Sequence, residues 1–177
     1  MALVTQDDTG LVPNANGYIS VAYFKSYFAD RNIEIDDFDD TQIEGAIVSA
    51  TDYIDTRWGD FKGTLLDDTQ TTKFPRGYLY GPYGKLIEGL PVNLKKATAE
   101  YARQYLLGGS LLPVLGEAQV TMKREKVGPI EEETQYATAT SYGYFKPYAM
   151  ADSLLAGYLQ GNFLRVYRAW DLIVQSL

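Results

Sequence analysis

With 177 residues, 46% of them hydrophobic, the chain can bury a sizeable core as one domain, or as one domain with a long excursion. It contains no cysteine and no histidine, which excludes disulfides and thiolate metal sites and removes the commonest general base and metal ligand, so most familiar enzyme mechanisms lose a part. The formal charge of −7 is local: residues 30–68 carry twelve acids against three bases, whereas 69–177 carry nine against twelve, so the acidic stretch is either a solvated face or a surface that turns polyanions away.

Residues 1–19 mix Gly, Pro and Asn with little periodicity and read as an extended arm leading to Ser20, a good N-cap. No basic region precedes an apolar core there, and no apolar run approaches the roughly 20 residues that cross a bilayer, so a cytosolic chain without export or membrane contact is expected. A first helix follows, with Val21, Phe24, Tyr27 and Phe28 on one face, and Asn32 to Asp39 is an acidic turn. Asp40 or Thr41 then caps a second helix. Its apolar stripe is Ile43, Ala46, Ile47, Ala50, Tyr53, Ile54 and Trp58, with Glu44, Asp52 and Asp55 off the stripe.

Residues 59–90 hold six glycines, two prolines and the clustered Tyr78, Tyr80 and Tyr83, which is the chemistry of a long loop with an adhesive surface. Pro91 suits the first turn of a third helix, striped by Leu94, Ala97, Thr98, Tyr101, Ala102 and Tyr105 and stopped by Gly108-Gly109. From Glu117 the pattern alternates, Ala118, Val120 and Met122 against Gln119, Thr121 and Lys123, predicting a strand with a return near Ile130 to Tyr136. Pro147 introduces a short helix near Ala151 to Leu159, and the tail beyond Asn162 is rich in large apolar residues. The expected fold class is mainly α: a small helical bundle with a β-hairpin or extended arm, long loops and extended termini. As one domain it divides into an arm (1–19), a helical core (20–107) holding the 59–90 loop, a hairpin (117–136), and a C-terminal helix with a tail (150–177).

Catalytic signatures are scarce. Asp36-Asp37-Phe38-Asp39-Asp40 has neither the glycine nor the distal glutamate of an EF-hand loop, and a solvated turn with a helix N-cap explains the same residues. Gly77, Gly81 and Gly84 are not followed by the Lys-Ser or Lys-Thr of a phosphate-binding loop. No catalytic residue, metal site or cofactor is expected, and no enzyme activity. Trp58, Phe61 and Phe74 have the chemistry of base-stacking platforms, but Trp58 closes an apolar helix face, which favours core packing. Lys123, Arg124 and Lys126 form the one dense basic patch, either plain exposed strand residues or a contact surface.

The order of these pieces carries a resemblance. Ala50 to Gly77, ATDYIDTRWGDFKGTLLDDTQTTKFPRG, joins a helix ending in Trp58-Gly59 to the words Phe61-Lys62-Gly63 and Phe74-Pro75-Arg76-Gly77. With Asn14-Ala15-Asn16-Gly17-Tyr18-Ile19-Ser20-Val21 upstream and Arg124-Glu125-Lys126-Val127-Gly128 downstream, it resembles the adaptor (head-completion, head-tail connector) proteins of tailed bacteriophages, a family often labelled DnaT-like single-stranded DNA-binding. The resemblance runs roughly from Thr9 to Leu159. It implies a virion protein of the neck, assembled in the host cytoplasm: a subunit of a homo-oligomeric ring, commonly a dodecamer, that binds the portal protein, receives a neck or tail protein, and passes genomic DNA through its lumen without gripping it.

On that reading Arg76, Tyr78, Tyr80, Tyr83, Lys123, Arg124 and Lys126 serve the subunit interface. Arg76 is expected to form a bidentate salt bridge, and the basic hairpin to meet an acidic surface such as Asp36 to Asp40 of a neighbour. Phe163, Arg165, Tyr167, Arg168, Trp170, Leu172 and Ile173 dock on the portal. The alternative is a single-stranded DNA-binding replication protein, which needs a basic groove.

Overall fold

The computed structural model describes residues 2–58, 60–81, 83–111, 120–126, 131–136 and 148–160. The chain divides into two compact units, one of residues 1–111 with 147–177 and one of residues 112–146. Among the described residues the fold is mainly helical, with a two-stranded antiparallel hairpin, as the periodicities predict.

In the larger unit α1 (Val21–Ala29) begins where the Ser20 hydroxyl accepts a hydrogen bond from the Tyr23 amide, so the expected cap is the one used. The second helix, α2 (Asp40–Arg57), starts one residue earlier than expected: Asp39 is the cap. The reason is a capping box, in which the Asp39 carboxylate accepts from the Gln42 amide at 2.8 Å and the Gln42 side chain accepts from the Asp39 amide at 2.9 Å. Asp40 has Ile43 three residues on and so no such partner, and Thr41, which has Glu44, already lies inside the helix that Asp39 starts. The third helix, α3 (Val92–Gly108), has Pro91 as its N-cap and ends at Gly109, whose φ of 72° is the left-handed cap that glycine adopts without steric cost. A short helix, α4 (Ala149–Leu155), runs into a 3₁₀ turn (Ala156–Tyr158).

The apolar stripes meet in one core. Ile43, Ala46, Ile47, Ala50, Tyr53, Ile54 and Trp58 of α2 are buried, as are Leu94, Ala97, Thr98, Tyr101 and Ala102 of α3. Helix α3 packs on both α2 and α4, and α1 on α2 and α3. Edge-on aromatic pairs stiffen the core, Tyr53 of α2 with Tyr101 of α3 at 5.1 Å and, within α1, Phe24 with Phe28 at 4.9 Å between ring centroids. Thr98, buried inside this apolar contact, satisfies its hydroxyl by donating to the Leu94 carbonyl one turn back.

Residues 2–19 form no helix or strand and are anchored on the core at particular points. Ala15, Tyr18 and Ile19 are buried. Thr5 bridges Gly17 in parallel, and Gln6, also buried, donates from its side chain to the Thr72 hydroxyl at 3.1 Å. An aperiodic stretch with two buried aromatic or branched residues at its end gives no stripe to read, so its packing was invisible to a periodicity argument.

The smaller unit contains β3 (Val120–Lys126) and β4 (Glu131–Tyr136), paired antiparallel with a register irregularity between Val120 and Met122. The alternation read between Ala118 and Lys123 thus marks a real strand, though described from Val120 onward.

Candidate interaction loop

Between α2 and α3 the chain makes the excursion that the glycine content announced. Two short strands, β1 (Thr64–Leu65) and β2 (Arg76–Gly77), pair antiparallel at its base. Gly63 has φ 78°, and a β-carbon there would stand 2.3 Å from the Gly77 carbonyl oxygen, so only glycine permits this approach. Beyond β2 the chain turns back on itself: Tyr80 bridges Leu86, the Ile87 amide donates to the Leu79 carbonyl, and the Gly81 amide to that of Lys85.

Arg76 pins the base of this excursion. Its Nε donates to the Lys62 carbonyl at 2.7 Å, Nη1 to Lys73 at 3.1 Å, and Nη2 to Phe61 at 3.2 Å and Gly63 at 2.8 Å. The expected bidentate salt bridge is replaced here by four backbone carbonyls. The physical reason is that the tight turn through Phe61 to Gly63 aims several carbonyls at one point, and the planar five-donor fork of arginine suits such a cage. Arg76 thus fixes the loop's own geometry.

The family-word aromatics are equally committed to the interior. Trp58, Phe61 and Phe74 are at most 3% exposed. Phe74, next to a cis Phe74–Pro75 bond, lies edge-on to Phe61 at 4.7 Å, Tyr18 at 6.1 Å and Tyr158 at 6.2 Å. The Trp58 indole N–H donates to the Tyr101 hydroxyl at 3.3 Å. None of the three is free to stack on a base.

The tyrosines beyond Arg76 face the other way. Leu79 is fully buried, whereas Tyr78 and Tyr80 on either side of it are exposed. Tyr78 is 74% exposed, Tyr80 50%, and Tyr83 at the tip 98%. Leu86, which bridges Tyr80, is exposed as well, as are Leu65 in β1 and Leu66 after it. Tyr78 has φ 55°, a left-handed conformation that a bulky residue holds only under constraint. The structure therefore holds a strained backbone that presents an aromatic ring to solvent. Sequence reasoning found the three tyrosines; it missed the leucines, because a punctuated loop offers no period by which to sort inside from outside.

Two carboxylates, one half-buried and one buried, tie distant segments of this unit together. Asp55, read from the helical wheel as lying off the apolar stripe, is instead half-buried and accepts from the Tyr18 hydroxyl at 2.5 Å and the Lys73 amide at 3.0 Å, joining the N-terminal segment and the loop to α2. Burial pushes its carboxyl up to about 6, against the hydrogen bonds from Tyr18 and Lys73 that pull it down. Asp152, 3% exposed, accepts from the Tyr101 hydroxyl at 2.5 Å and the Tyr148 amide at 3.1 Å and faces Arg57 at 3.3 Å, joining α4 to α2 and α3. An acid in the first turn of a short helix was the one signal for it.

The remaining candidates divide by location. The hairpin register places Lys123, Arg124 and Lys126 opposite Thr134, Glu133 and Glu131, so the basic strand already has an acidic neighbour strand. Of the acidic turn, Asp39 caps α2 and Asp40 pairs with Lys25 at 2.5 Å. The portal-docking set, Phe163 to Ile173, lies outside the described residues. Among the described residues no three Asp or Glu side chains cluster as a metal site would, and no helix is long and apolar enough to cross a membrane.

The described residues define a mainly α-helical protein built round a pinned loop with an aromatic outer surface. Over residues 1–169 the chain matches the model of the family described as "Putative DnaT-like ssDNA binding protein", and it belongs to that family. The description names single-stranded DNA binding and no role in a virion. No curated protein and no solved structure is significantly similar to the chain.

Proposed function

We propose that the chain is a structural, protein-binding subunit: a head-tail adaptor of a tailed-phage virion that assembles as a ring, binds the portal protein and offers a neck or tail protein its docking surface. The observation that carries this reading is the exposure of Tyr78, Tyr80 and Tyr83 on a loop whose base is locked by Arg76. Rigid, amphipathic tyrosines on a preorganised support give contact area at low entropy cost, which is what a protein interface needs.

The family description favours a second reading, single-stranded DNA binding, and the same three tyrosines suit it as stacking platforms. Charge speaks for the protein partner. Residues 59–90 carry four acids and four bases, and one of those bases, Arg76, is spent on carbonyls, whereas sites that track a single strand line it with a basic groove. Native mass spectrometry of the purified chain tests the proposal: a closed oligomer, captured in a pull-down by portal protein, is expected. A monomer that ignores the portal and binds single-stranded DNA overturns it in favour of the second reading.

A further inference from the structure

The β3–β4 hairpin belongs to a compact unit of its own, residues 112–146, and among the described residues no third strand joins it. A lone two-stranded ribbon is marginal in water, and each of its outer edges is a template for another strand. The two edges differ in charge. Strand β3 carries Lys123, Arg124 and Lys126 against the single acid Glu125, while β4 carries Glu131, Glu132 and Glu133 and no base. Inside the hairpin the register sets Arg124 opposite Glu133 and Lys126 opposite Glu131, with Glu125 opposite Glu132 as the one like-charged pair between them.

We propose that the outer edge of β4 in one copy pairs antiparallel with the outer edge of β3 in a second copy of this chain, so that hairpins join head to tail into a continuous sheet. Three edge pairings are open to two copies. Joining β3 to β3 sets bases against bases, and joining β4 to β4 sets glutamates against glutamates; like charges directly opposite destabilise a strand pair. Only β4 against β3 repeats the opposite-charge pairing that the hairpin already uses. Because that contact joins two different edges, it is heterologous: it does not stop at a dimer but continues until a ring closes or a filament grows. The inference rests on the ring-subunit reading for closure of the series, and it supplies the seam between subunits.

The chain has no cysteine of its own, so introduced thiols report cleanly. Full-length Arg124→Cys and Glu133→Cys proteins are oxidised separately and as a mixture, then compared on a non-reducing gel. Directly opposite residues alternate between two pair types, of which the closer suits a disulfide, so Lys123→Cys with Thr134→Cys, also opposite in register, forms the second set. A cross-linked dimer in the mixture and in neither protein alone, for either set, is the expected result. Dimers within one variant alone show like-edge pairing, and monomers throughout both sets show no edge contact; each overturns the proposal. Native mass spectrometry of the wild type separates the two ideas: a ring without mixed cross-links removes the seam and keeps the ring, whereas a monomer removes both.

Discussion

The Tyr101 hydroxyl donates to the Asp152 carboxylate at 2.5 Å across the α3–α4 seam, and Arg57 of α2 faces the same carboxylate at 3.3 Å. Three helices thus share one buried anion. Removing it leaves a buried guanidinium and a buried phenol without that acceptor, which is the costly half of dismantling an ion pair. Asp152→Ala is expected to lower the unfolding free energy by about 3–5 kcal/mol, and Tyr101→Phe, which keeps the ring and removes the hydroxyl that donates to Asp152 and accepts from Trp58, by about 1–3 kcal/mol. Urea midpoints of the two variants check the order; equal midpoints mean that the carboxylate is not shared.

Trp58 is the large side chain at the C-terminal end of α2, 3% exposed, with its N–H on Tyr101 and the Arg57 guanidinium 4.3 Å from its ring centroid. Trp58→Ala opens a cavity and removes an aromatic from the core, at a cost of about 3–5 kcal/mol, a large share of a domain's stability. Thermal melts that coincide with wild type contradict the core placement.

The Asp55 carboxyl, raised by burial from 3.8 to about 6, binds its proton more tightly in the folded protein than in the unfolded chain. Its contribution to stability is therefore fully present below about pH 4 and is lost as pH rises through about 6. Asp55→Asn abolishes this dependence and leaves that of every other carboxylate in place. Wild type is expected to gain stability relative to Asp55→Asn between pH 7 and pH 5, read as the difference in urea midpoint. A difference that stays constant with pH contradicts the burial.

Arg76→Lys keeps the charge and forfeits the fork that reaches the carbonyls of Phe61, Lys62, Gly63 and Lys73. The expected loss is about 1.5–3 kcal/mol, together with faster proteolysis between residues 60 and 90. If cleavage there is unchanged, the loop is held by something else.

The helices were legible because their apolar residues recur at a period that only one backbone geometry satisfies. Val21 to Phe28, Ile43 to Trp58 and Leu94 to Tyr105 each pointed to the face that the structure buries or half-buries. Asp39 rather than Asp40 caps α2 because a capping box needs its partner three residues on, and Gln42 fits Asp39 alone. Asp55 and Asp152 were not legible as buried acceptors. Their donors, Tyr18 and Lys73 for one and Tyr101, Tyr148 and Arg57 for the other, come from distant parts of the chain, and no local pattern announces such a meeting. The role of Arg76 was half legible: its place in the loop showed, but the inward turn of the Phe61 to Gly63 carbonyls did not.

Whether the exposed tyrosines meet protein or bases is decided most directly by a fluorescence-polarisation titration of a labelled single-stranded oligonucleotide at about 150 mM salt, a roughly physiological level, with wild type beside a Tyr78→Ser/Tyr80→Ser/Tyr83→Ser variant. A loop with as many acids as bases and an arginine locked onto carbonyls predicts no binding tighter than micromolar for either protein. It also predicts that the serine variant, while still folded, fails to form the oligomer proposed for wild type. Micromolar or tighter binding by wild type that the three serines abolish would contradict the account and assign the tyrosine surface to single-stranded DNA.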